Sequence, residues 1–152
     1  MAAHENTVTY EFPAEEMSKQ AQGNANAFAL LGLAFLKEKG QSAAEWVEFF
    51  GRRVAPGWDG VKGHGASAVA HVVALNLASL GATVHRLSGD ERNAEVTVSN
   101  WPAQDMLELT GLTRADTTPL WDSFRPIAEY LNLCYEWQEE EGQVQLRLSC
   151  QE

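Results

Sequence analysis

From Phe28 to Leu36 the chain is apolar at every position, and this run sits inside a longer segment with the end signals of a helix. Pro13 suits a helix start, Glu15 and Glu16 suit the positive end, and Lys37, Lys39 and Gly40 suit the negative end. A helix over Ala14 to Lys39 is therefore predicted, with no polar face in its second half. Such a helix is normally buried all round, by the core or by another subunit. Whatever else the chain forms must cover it.

The rest of the sequence supplies elements for that purpose. Ser42 to Glu45 has the pattern of a capping box, so a second helix is predicted there, with Trp46, Val47, Phe49 and Phe50 on its apolar side. Ala55 to Gly60 breaks it and opens a glycine-rich loop. A third helix, free of charge, is predicted from Ala66 to Leu80, ended by Gly81 in the left-handed conformation. Its polar residues Ser67 and Asn76 fall on opposite sides, which suits burial between several elements or contact with a second subunit.

Ala82 to Ser88 and Ala94 to Ser99 read as a hairpin around Gly89 to Asn93. Its register is open because the first strand does not alternate cleanly, and the face of His85 stays undetermined. A short helix over Ala103 to Leu109 follows. A helix from Thr118-Pro119 to about Tyr130 comes next, with a kink expected at Pro126. Leu133 to Gln138 and Gln143 to Cys150 form a last hairpin through Glu139 to Gly142. There Leu133, Tyr135 and Trp137 share a face with Val144, Leu146 and Leu148. Thr7 to Phe12 alternates and reads as a short strand or an extended arm. The sum is an α+β domain spanning residues 1–152, a helical layer packed on an antiparallel sheet built from two hairpins.

With 152 residues, one core is enough. A hydrophobic fraction of 45% and a charged fraction of 21% argue against a disordered, collagen-like or coiled-coil chain. The net charge of -10, with no strong basic patch, argues against nucleic acid and anionic membranes as partners. The charge-free stretch from Gly63 to Val84 has the length of a membrane span, but its Gly, Ser, Asn and His content reads as a buried helix. No secretory signal is visible at the start, which points to the cytoplasm. Cys134 and Cys150 fall on opposite faces of the last hairpin, so no disulfide is expected between them, in keeping with a reducing compartment.

The most distinctive local feature is the loop from Gly57 to Gly65, leading into the third helix. Its glycines would let amides approach a ligand, and the helix start would favour an anion. Gly63, Gly65 and Ala68 match the loose dinucleotide pattern, but no strand precedes them as that pattern requires. Trp58 lies outside any periodic apolar pattern and is the tryptophan assigned to a ligand or subunit contact. Trp46 and Trp137, on apolar faces, are assigned to the core. Ser67 and His71 are four apart on one helix face and have the chemistry of a nucleophile and base, or of an ordinary packed helix. Trp58, Gly63, His64, Gly65, Ser67 and His71 are thus the candidate ligand-binding residues. Asp116, Asp122 and Glu129 show no partner in sequence. No metal site is expected, and nothing identifies a cofactor or a catalytic set.

The order of elements resembles that of small ligand-binding domains related to the 4-vinyl reductase family. The closely spaced cysteines near the end of that family's domain are absent here, where Cys134 and Cys150 are far apart, so the resemblance is one of architecture. The leading expectation is a non-enzymatic module that binds a small, largely apolar ligand between helices and sheet and dimerises with itself through apolar helix surface. The alternative is a small-molecule enzyme with His64 or His71 as acid or base beside an anion-holding glycine loop. A purely structural subunit is the third reading.

Overall fold

The computed structural model describes residues 11–151. Most of the expected Thr7–Phe12 strand lies outside them, and Glu11 and Phe12 carry no regular structure. The first helix, α1 (Ala14–Glu38), starts after Pro13 and has Glu15 and Glu16 in its first turn and Lys37 in its last. It stops where Gly40 takes φ 64, with the amides of Gly40 and Gln41 bonding back to the carbonyls of Lys37 and Leu36. The core of the chain covers only one side of it. Asn26, Leu30 and Leu33 are buried, while Phe28, Leu31 and Phe35 are exposed at 81%, 55% and 58%.

Helix α2 (Ala43–Val54) begins at Ser42 as predicted, but the Ser42 side chain makes no capping bond, so the expected capping box does not form. The chain then continues without a break into a 3-10 segment, Ala55–Val61. Pro56 fits in its first turn, where no helical partner for an amide is needed. Gly51 explains how close α2 lies to the later helices. A Cβ there would stand 2.5 Å from the Ser123 carbonyl oxygen and 3.0 Å from the Pro126 ring, so no side chain fits.

Helix α3 (Ala66–Ser79) ends in a Schellman turn, with Gly81 at φ 94 and the amides of Gly81 and Ala82 bonded to Ala78 and Leu77. It buries Val69, Ala70, Val73 and Leu77, while His71, Leu75 and Asn76 are exposed. It is enclosed on one side and not on several.

The strands β1 (Thr83–Gly89) and β2 (Asn93–Ser99) form the first hairpin, and β3 (Leu133–Glu140) and β4 (Gln143–Cys150) the second. The sheet is antiparallel throughout in the order β1-β2-β4-β3, so the hairpins join through β2 and β4. Between Val84 and Arg86 the register slips by one residue, and this bulge at His85 breaks the alternation of β1. His85 is exposed, with Nε2 2.7 Å from the Ser99 hydroxyl.

The second hairpin has the predicted pairing, Tyr135 opposite Leu148 and Trp137 opposite Leu146. Cys134 pairs with Ser149 and Leu133 with Cys150, which puts the two thiols on opposite faces, both free.

Between the hairpins come α4 (Gln104–Thr110), α5 (Arg114–Thr117), a 3-10 segment Thr118–Ser123 and α6 (Phe124–Tyr130). The single helix expected from Thr118 to Tyr130 is thus two helical pieces. Pro126 sits in the first turn of α6, where its missing N-H is harmless, so no kink arises there. The capping box that does form belongs to α5, with Thr113 and Asp116 each bonding the other's backbone amide. One face of the sheet is covered by α3, lying over β1, β2 and β4, and by α6, lying against β3. The other face is polar, with Glu95 between Arg86 and Arg147 at 4.0 and 3.4 Å. The architecture is α+β, a helical layer on an antiparallel sheet of two hairpins.

Candidate ligand-binding cleft

A cleft of about 450 Å³ opens between α1, α2, the 3-10 segment Ala55–Val61, the end of α3 and the helical pieces before β3. The local sequence makes the room. Ala25 and Ala29 put small side chains on the α1 wall, and Phe28 stands at the same wall. Facing them are Trp46 and Phe50 of α2, four residues apart and stacked at 5.6 Å between ring centres. Trp58 meets Phe124 edge to face at 6.3 Å. Leu77, Leu80, Leu120 and Ile127 make up the apolar floor, with Trp101 beside them.

Hydrogen bonds hold these walls in place. The Trp101 indole N-H donates to Asn26 Oδ1 at 2.9 Å, and Asn26 Nδ2 donates to the carbonyls of Gln22 and Leu80. A single buried amide thus ties α1, the end of α3 and the Trp101 segment together, with its donor and acceptor both satisfied. The Tyr130 hydroxyl donates to Asp59 at 2.6 Å, and this bond raises the pKa of Tyr130. Lys62 lies 4.0 Å over the same ring, so the 3-10 segment carrying Trp58 is anchored to α6.

On the far side of α6, Tyr135 donates to the Trp121 carbonyl, and burial pushes its pKa well up. Trp137 donates to Asp122, which also pairs with Arg125 at 3.0 Å.

Of the residues singled out in the sequence, Trp58 lines this cleft. Trp46, assigned to the core, packs against it but also forms the cleft wall. Gly63 and Gly65 lie elsewhere, at a shallower depression with Leu131, Leu133 and Cys150.

The glycine loop has a clear structural task. Gly65 takes φ 85, and a Cβ on it would stand 2.8 Å from the Glu91 carbonyl oxygen. That absence of a side chain lets the β1–β2 turn cover the start of α3. There the amides of Ala66 and Ser67 donate to Glu91 and Asp90 at 2.8 and 3.0 Å. The leading donors of an anion site are therefore already taken, which corrects the expectation of an anion-holding loop.

His64 and His71 are exposed and Ser67 is half-buried, and neither imidazole makes a side-chain hydrogen bond to another described residue. No group of three or more His, Cys, Asp or Glu side chains suited to a metal occurs among the described residues.

The sequence reading missed Asn26, Trp101, Phe124 and the alanine pair. A signal existed for two of these. An amide on the same face as Leu30 and Leu33 asks for a buried partner, and alanines four apart leave a gap for something to fill.

No protein-family model matches the chain, and no curated protein matches it. Among solved structures, the chain is similar to a trafficking protein particle complex subunit 3 from Naegleria fowleri, crystallised covalently bound to palmitic acid. The two share 12% sequence identity over 91% of this chain and 97% of that one, with a TM-score of 0.49.

Proposed function

We propose that this chain is a binding module for a small, largely apolar ligand, held in the cleft between α1, α2 and α6. It acts as a homodimer in the cytoplasm and without catalysis. The observation that carries this reading is the cleft itself. Its 450 Å³ falls in the usual range of about 300–1,000 Å³ for ligand sites, and every lining residue is aliphatic or aromatic except Asn76 and Ser123.

Those two polar side chains are partly engaged already, Asn76 with the Val72 carbonyl and Ser123 with the Leu120 carbonyl. Such a lining favours alkyl or aromatic surface and offers no carboxylate, imidazole or thiol to move a proton. Each buried methylene contributes ~0.8 kcal/mol, so a ligand burying about ten gains ~8 kcal/mol before the costs of association. Micromolar binding therefore requires most of the cleft to be filled. The two free thiols support a reducing compartment.

The test is a titration with cis-parinaric acid, followed by energy transfer from the tryptophans at the cleft. Saturable binding at one site per chain is expected. Ala29→Phe, which fills the cleft from the α1 wall, is expected to weaken it about tenfold or more, equivalent to ~1.4 kcal/mol. Undiminished binding in that variant, with circular dichroism showing a native fold, would overturn the reading.

A further inference from the structure

The outward side of α1 carries a second apolar pattern, distinct from the side that faces the core. Met17, Ala21, Asn24, Phe28, Leu31 and Phe35 follow one another at alternating intervals of four and three, the spacing of a helix-pairing seam. All six are exposed, Met17 at 59% and Phe28 at 81%. Asn26, Leu30 and Leu33 lie on the opposite side, in the core. We infer that this seam is a self-association surface, on which α1 pairs antiparallel with α1 of a second copy of the chain.

The antiparallel direction follows from size and from the helix dipoles. Aligned about its centre, the seam sets Asn24 against Phe28 of the partner subunit, Ala21 against Leu31 of the partner subunit and Met17 against Phe35 of the partner subunit. Two of these three pairs match a small side chain with a large one, as interdigitation requires. Helix dipoles also oppose favourably in this direction, whereas a parallel pair would set like ends together.

Beside the middle of the seam stand the small residues Ala25, Ala27 and Ala34, and at its end Lys39 lies 5.6 Å over the Phe35 ring. A membrane-lying helix instead carries a series of Lys or Arg along these margins, where only Lys39 stands here. A second copy is the occupant that the seam fits.

This inference rests on the dimeric part of the function proposed above and not on the ligand. Leu31 lies outside the cleft, so its replacement separates the two. The experiment combines light-scattering mass with cysteine pairing, in the full chain carrying Cys134→Ser and Cys150→Ser. The parent is expected to be dimeric at micromolar concentration. Leu31→Glu is expected to raise its dissociation constant on the order of a hundredfold while leaving cis-parinaric acid binding detectable.

Ala21→Cys with Leu31→Cys in one chain is expected to give a disulfide-linked dimer on oxidation. Within one helix those positions are about 15 Å apart, too far to bridge internally. Either substitution alone is expected to give none. A parent that stays monomeric, a Leu31→Glu chain that stays dimeric, or covalent dimers from a single cysteine would each overturn the antiparallel pairing. Loss of probe binding by Ala29→Phe bears on the cleft alone.

Discussion

Asp116 joins two parts of the chain that lie far apart in sequence. Its carboxylate accepts from Lys37 at 2.7 Å and from the Thr113 amide and hydroxyl at 2.7 and 2.8 Å. These donors, the Lys37 ammonium first, lower its pKa from 3.8 to about 2. A carboxylate held below its unfolded value stabilises the folded chain above pH 4, and that contribution is lost as the pH falls from about 4 to about 2. The side chain remains 26% exposed, so solvent screening keeps the effect small, about 1 kcal/mol or less. Asp116→Asn is expected to lower the unfolding free energy obtained from urea titration at neutral pH by that amount, and the two values should converge near pH 2. A constant difference across the range would show that the carboxylate charge is not responsible. In sequence the local capping-box pattern of Thr113 and Asp116 was missed, and Lys37, 79 positions away, gives no signal as a partner. Asn26 is similar, since Leu80 and Trp101 reach it only once α1 has docked. Partners that arrive only by docking cannot be named from the sequence, although an amide on a core face, such as Asn26, signals that one is needed.

Between elements, the two hairpins differ in how far their registers could be read, and the reason lies in their turns and bulges. The second alternates without interruption and turns through two residues, Glu141 at φ 52 and Gly142 at φ 77, the positive values of a type I′ turn. Its pairing was therefore legible down to the opposite faces of Cys134 and Cys150. The first contains the bulge at His85, an extra residue that shifts every later side chain of β1 to the other face, so alternation alone could not assign it. Helix limits were read well where glycine ended them and at Ser42, where α2 begins although its cap makes no side-chain bond, and poorly between Thr118 and Tyr130, where two helical pieces replace one. The turn also makes a measurable prediction. Glutamate is costly in the left-handed region, which asparagine tolerates better, and Glu141 adds to a run of three acids. Glu141→Asn is expected to stabilise the chain by about 0.5–1 kcal/mol, read as a higher thermal midpoint. A lower midpoint would mean that Glu141 makes a compensating contact.

At the scale of the molecule, the cleft is assembled from six stretches of chain, and only Trp58 among its lining was singled out as a ligand contact beforehand. The others read as ordinary core, because periodicity reports which side of a helix is apolar and not whether the facing element fills it. Phe28 is where the proposed cleft and the proposed pairing seam meet, since it lines the first and belongs to the second. A ligand that fixes its ring also arranges one member of the seam, and a second copy that packs on it narrows the cleft mouth. Binding and dimerisation are then linked, and linkage is reciprocal. The affinity for cis-parinaric acid is expected to rise as the chain concentration passes through the dimerisation range. A single shared side chain sets the scale at about fivefold, ~1 kcal/mol, the lower end of such couplings. Phe28→Ala should weaken both equilibria and abolish the dependence on concentration. Leu31→Glu should hold the affinity at the value of the dilute parent. If the parent binds equally well at every concentration and matches Leu31→Glu throughout, the two surfaces work independently, and Phe28 serves each without connecting them.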